Sequence, residues 1–135
     1  MASSMKDLRL WQEAVALGGD VVRATRNAGR RETKAFTDEL MRAADAVASG
    51  IADAHCRYVP AEQQASFRET RRALAILETR LAIARQADLI PAATLAQCSN
   101  RAASVNRLLA SYLGHLERVI EAESRASEGK SRGAA

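Results

Sequence analysis

Between Leu95 and Val119 the apolar residues Leu95, Cys98, Ala102, Val105, Leu109, Tyr112, Leu116 and Val119 fall alternately three and four positions apart. That alternation keeps one face of a 3.6-residue helix apolar over several heptads, which is the seam of a helix packed lengthwise in a bundle. A strand needs period two, and nothing here supplies it.

Three further segments carry the same spacing. The first has Leu8, Trp11, Val15, Gly18, Val22 and Thr25, and the loop RNAGRRETK stops it, with Asn27 and Gly29 as the C-terminal signal. The second has Leu40, Ala44, Val47, Ile51, Ala54 and Tyr58 and must end before Val59-Pro60, because proline disfavours helical geometry in the residue before it. Pro60 suits the first turn of the third helix, which carries Phe67, Thr70, Leu74, Leu77, Leu81 and Ala84 and runs to about Ala87. Asp88 to Pro91 makes a short turn into the fourth.

Short connections favour antiparallel neighbours, so the fold class read from the chain is all-α, an up-down-up-down four-helix bundle. With 135 residues, 47% of them apolar, there is material for one core, placed in residues 1–123. From Ser124 the text SRASEGKSRGAA is small and charged, and residues 124–135 read as a flexible polar tail.

No apolar run is long enough to span a bilayer, and MASSMKDLRL lacks the long apolar stretch of a signal peptide, so the expectation is a cytoplasmic protein without a membrane partner. Cys56 and Cys98 stand alone and read as packed small hydrophobes. A di-iron bundle needs inward Glu-x-x-His repeats, but Ala52 and Tyr112 stand three before His55 and His115. Neither a phosphate-binding loop nor a nucleophile motif is present. The reading is a non-enzyme with no cofactor or metal. Asp53 with Arg57, and Asp38 with Arg42, have the spacing of helix ion pairs.

Two helices have more apolar surface than a lone bundle requires. Beside the first stripe of helix one runs a second, Leu10, Ala14, Leu17 and Val21, leaving Arg9, Gln12, Glu13, Asp20 and Arg23 as a polar arc. On helix three, Ile76 and Ile83 point roughly 130° to 150° away from the core stripe, one heptad apart. Leu10, Leu17, Val21, Ile76 and Ile83 are therefore the candidate oligomer-interface residues, with cover by loops as the plainer alternative. In helix two, AADAVASGIADA is dominated by small residues, and Gly50 sacrifices helix propensity in a way that suggests close helix packing.

All but Lys6, Lys34 and Lys130 of the 20 basic residues are Arg. Arg makes bidentate contacts with phosphate or carboxylate, while a GC-rich genome enriches it without any binding role. Arg68, Arg71 and Arg72 cluster on helix three and Arg30, Arg31 and Lys34 crowd a loop, giving two candidate nucleic-acid patches. Glu69 and Glu78 are interleaved and aromatic residues are few, which favours a solvated face.

Three ordered stretches resemble the four-helix bundle proteins encoded in intervening sequences of bacterial 23S ribosomal RNA genes. DLRLWQEAVAL resembles their opening D-L-x-V-W-Q-K-A. LMRAADAVASGIADA keeps Arg42, Ala43, Ala44, Ile51 and Ala52 of R-R-A-A-x-S-I-x-x-N-I-A-E-G. LAILETRLAIA keeps Leu74, Leu77, Glu78, Thr79, Leu81, Ile83 and Ala84 of L-x-E-L-E-T-Q-L-x-I-A. The chain departs from the pattern at Gly50, Asp53, Ala54, Arg72, Ala73 and Ile76, without disturbing the heptads. The resemblance implies a bundle that closes into a homopentameric ring. It also implies a second possibility, because one branch, the accessory variability determinant of diversity-generating retroelements, binds nucleic acid and assists a reverse transcriptase. The expected function is a self-assembling structural or protein-binding ring; the alternative is a sequence-nonspecific RNA- or DNA-binding accessory protein. Trp11 falls where the family pattern has Trp and reads as a core or interface anchor.

Overall fold

The computed structural model describes Met5, residues 8–28 and residues 30–133. Asp7 of the first motif, the expected helix stop Gly29, and Ala134 and Ala135 of the tail lie outside the described residues. The described chain folds into α1 (Arg9–Asn27), a 3-10 turn (Arg31–Thr33), α2 (Lys34–His55), α3 (Pro60–Gln86) and α4 (Ala92–Gly133).

Each boundary has a local cause. Val59 is extended and Pro60 opens α3, as the pair requires. α2 stops at His55, earlier than its stripe suggests, so Tyr58 is a loop residue with 97% of its surface exposed. α3 ends in a Schellman motif: Leu89 N–H donates to the Ala84 carbonyl at 3.0 Å and Asp88 N–H to the Arg85 carbonyl at 3.1 Å. Asp88 holds the left-handed position that closes this motif, with φ 52°.

α1 and α3 each pack against α2 and α4, so the four helices close a square with α1 and α3 on one diagonal. The core takes Leu10, Leu17 and Val21 from α1, Leu40, Val47 and Ile51 from α2, Phe67, Leu74 and Leu77 from α3, and Cys98, Val105 and Leu109 from α4. Ser66 meets Asp53 at 2.8 Å, while Thr70, one turn later on α3, meets Gly50, one turn earlier on α2. These two helices therefore run in opposite directions. A Cβ on Gly50 would collide with the Thr70 hydroxyl, which is the close approach that keeps a helix-weakening residue at this position.

α4 is the longest element, and it extends past the change of composition at Ser124. Instead of the expected flexible tail at Ser124, helix continues to Gly133, with residues 121–131 all exposed. Ala, Glu and Arg favour helix there, and Arg125 and Glu121 form an i,i+4 pair at 3.9 Å.

Candidate functional site

The outward surface of α3 follows from its wheel. Phe67, Leu74, Leu77 and Leu81 face the core, and Ile76 and Ile83, one heptad apart on the far side, keep 52% and 50% of their surface exposed. Ala75, Thr79 and Arg80 complete this shallow apolar face. The Nε of Arg80 is buried there without a hydrogen-bond partner.

On α1 the two stripes exchange roles. Leu10, Leu17 and Val21, expected as interface residues, lie in the bundle core at 2%, 0% and 0% exposure, so they are not available to another copy. The outward pair is Val15 and Val22, at 45% and 39%, with Gly18 between them and nothing within 4 Å of where its Cβ would stand. Trp11 is half-buried against the core from the same side.

The reason for this rotation is a polar cluster that the sequence reading did not pick out. Asp20, read as part of a polar arc, is 5% exposed beneath α4. Its Oδ2 accepts a hydrogen bond from Arg101 Nε at 2.6 Å and its Oδ1 one from Arg23 at 2.7 Å, while Arg101 Nη1 reaches Glu13 at 3.3 Å. Bonding to Asp20, then to Glu13, raises the Arg101 pKa further above its ordinary value. Turning Glu13 and Asp20 toward α4 turns Val15 and Val22 out. The signal that could have found it is the heptad spacing of the two carboxylates on a helix with two competing apolar stripes.

The basic candidates do not form one site. Arg68, Arg71 and Arg72 are all exposed on α3; Arg72 pairs with Glu69, whereas Arg68 and Arg71 are in no ion pair among the described residues. Arg30 and Arg31 are exposed between α1 and α2, and Lys34 is tied to Asp38 at 2.7 Å. Asp38 is thus spent on Lys34 and Arg42 pairs with Glu39, in place of the expected Asp38–Arg42 pair. Asp53 does pair with Arg57, at 3.1 Å. The Ser66 hydroxyl and then Arg57 hold its pKa below the usual carboxylate value.

Among the described residues no group of three or more His, Cys, Asp or Glu is placed to hold a metal ion, and no helix is long and apolar enough to cross a membrane. Cys98 is buried, as expected, but Cys56 is exposed because α2 has already ended beside it. His55 is half-buried with Nδ1 unpartnered, and His115 is exposed, its ring 6.3 Å from that of Tyr112.

The bundle and its three ordered motifs now meet an independent finding: the sequence model of the 23S rRNA-intervening sequence protein family matches residues 6–111. The chain belongs to this family. No curated protein matches it. The family match spans α1, α2, α3 and α4 as far as residue 111, just before Tyr112, whose ring sits 4.9 Å from that of Phe67. The exposed end of α4 lies beyond the match. Ile76, a departure from the family's resembling motif, is one of the two isoleucines on the outer face of α3.

Proposed function

We propose that this 23S rRNA-intervening sequence protein is a non-enzymatic, self-assembling helical scaffold whose working form is a homo-oligomeric ring. The observation that carries the reading is the pair Ile76 and Ile83, half-exposed one heptad apart on a helix whose opposite face already fills the core. Single exposed hydrophobes are ordinary on protein surfaces, but a heptad-spaced β-branched pair is a helix-packing seam. Five copies per ring is what the family resemblance implies, and the partners of such a ring would be other proteins. Light scattering on the wild-type chain at micromolar concentration tests it. An oligomer that Ile76→Glu with Ile83→Glu dissolves to folded monomer is the expected result; a wild-type monomer overturns it.

A second reading is supported by Arg68 and Arg71, which stand exposed without ion-pair partners among the described residues while neighbouring Arg72 is paired. Unneutralised guanidinium groups repeated around a ring suit the phosphate backbone of RNA or DNA, and an accessory role beside a reverse transcriptase would use such a surface.

A further inference from the structure

The geometry points to a head-to-tail contact in which the α1 face carrying Val15 and Val22 of one copy seats on the α3 face carrying Ile76 and Ile83 of the next. This rests on the self-assembly reading and specifies which surfaces meet.

Both faces present two β-branched side chains seven residues apart, so the same rise along the helix, roughly 10 Å, separates the members of each pair. The α1 face has a gap at Gly18 between its valines, where nothing lies within 4 Å of the missing Cβ. The α3 face has two protruding isoleucines and, beside them, a buried Arg80 Nε with no acceptor. Ridges on one surface and a notch on the other make a complementary pair.

The directions of the faces exclude a two-fold pairing that covers both. Glu13 and Asp20 mark the side of α1 turned to α4, and Val15 and Val22 lie roughly 130° from the core direction on the other side, toward α2. On α3, Ser66 and Thr70 mark the side turned to α2, and Ile76 and Ile83 lie roughly 140° from the core direction on that same side. With α1 and α3 on one diagonal, the two faces flank α2 and diverge by roughly a right angle. A two-fold dimer through either face leaves the other bare. A head-to-tail contact between faces set at this angle closes after few copies, since the faces diverge by about 90° in a ring of four and about 108° in a ring of five. The helix between the two faces, α2, then lines the ring axis with Arg42, Asp45 and Ser49.

Complementation separates this contact from every two-fold alternative. One chain carries Val15→Glu and Val22→Glu, the other Ile76→Glu and Ile83→Glu, with helicity checked by circular dichroism. Each alone is expected to run as a monomer by native mass spectrometry, and their equimolar mixture as a one-to-one heterodimer, because the mixture restores a single intact α1–α3 contact. As a milder second measurement in a Cys56→Ser background, Gly18→Cys and Thr79→Cys chains are mixed with a short bis-maleimide. A cross-linked dimer from the mixture, and none from either chain alone, is expected. Wild-type oligomer with cross-links from one cysteine chain alone, or with neither heterodimer nor mixed cross-link, overturns the contact and leaves self-assembly standing. Wild-type monomer overturns both.

Discussion

Asp20 on α1 and Arg101 on α4 meet at 2.6 Å across the helix interface, with 3% of the Asp20 side chain exposed. Removing Arg101 leaves a buried carboxylate with Arg23 as its remaining cation. Arg101→Ala is expected to cost about 2–4 kcal/mol, because the buried carboxylate keeps its desolvation penalty with only the more exposed Arg23 to offset it. Replacing both residues by Leu should cost less than Arg101→Ala alone. Urea denaturation of Asp20→Leu, Arg101→Leu and the double variant measures the coupling; simple additivity would mean that the contact contributes nothing of its own.

The same pair shows where sequence and structure part. The alternation of α4 from Leu95 to Leu116 was legible because one apolar stripe dominates that helix: Leu95, Cys98, Ala102, Val105, Leu109 and Leu116 are all buried, and Tyr112 is half-buried. α1 has two apolar stripes, and local periodicity cannot choose between them. The choice belongs to Arg101, some eighty positions away in the chain, which draws Glu13 and Asp20 inward. Tyr58 failed for the opposite reason: it continues the α2 stripe in number, but the extended geometry that Pro60 imposes on Val59 ends the helix before the stripe does. The outward isoleucines of α3 were legible since the inward stripe there is unambiguous.

Glycines at two helix positions should respond with opposite signs. Gly50→Ala places a methyl against the Thr70 hydroxyl and is expected to destabilise by about 1–3 kcal/mol, with Thr70→Ala in the same chain restoring part of the loss. Gly114→Ala meets only the far end of the Arg118 side chain, at 3.7 Å, and should stabilise by about 0.5–1 kcal/mol through helix propensity. Thermal unfolding of the three chains decides it. Equal shifts at both glycines would contradict the close approach of α2 and α3.

The two cysteines should be chemically distinct. Cys56 is exposed and Cys98 buried, and burial, then the Asp20 carboxylate, pushes the Cys98 thiol above its ordinary value. A thiol reagent at mildly alkaline pH is expected to titrate Cys56 alone in the folded protein and both after denaturation. The raised folded pKa also means that this thiol's contribution to stability is full below about pH 9 and is lost as pH rises through the folded value. Cys98→Ala should flatten that alkaline loss.

Asp53 gives the acid counterpart. Its folded pKa lies below 3.8, so its stabilising contribution is present above that pH and disappears as pH falls through the folded value. Asp53→Asn should therefore leave a shallower acid limb below about pH 4 in a stability–pH profile. Ser66→Ala should reproduce part of the change, since the Ser66 hydroxyl is the larger cause of the shift. An unchanged limb in both variants would remove the α2–α3 hydrogen bond from the account.

The arginines of α3 decide between scaffold and nucleic-acid accessory. Phosphate binding by Arg68 and Arg71 releases condensed counterions, so affinity for labelled single- or double-stranded probes should fall steeply from about 20 mM salt to physiological salt, with little dependence on sequence. Arg68→Glu with Arg71→Glu should abolish most of that binding while helicity and oligomer mass stay unchanged, because both side chains are exposed and neither belongs to the Ile76–Ile83 face. Arg72 is the internal control. Its guanidinium is already paired with Glu69, so Arg72→Gln should weaken binding less than either unpaired arginine. Fluorescence anisotropy at tens of micromolar protein reads all of these. A wild-type chain that shows no binding at the lowest salt has arginines that serve only as a solvated face, and the ring's partners are then to be sought among proteins.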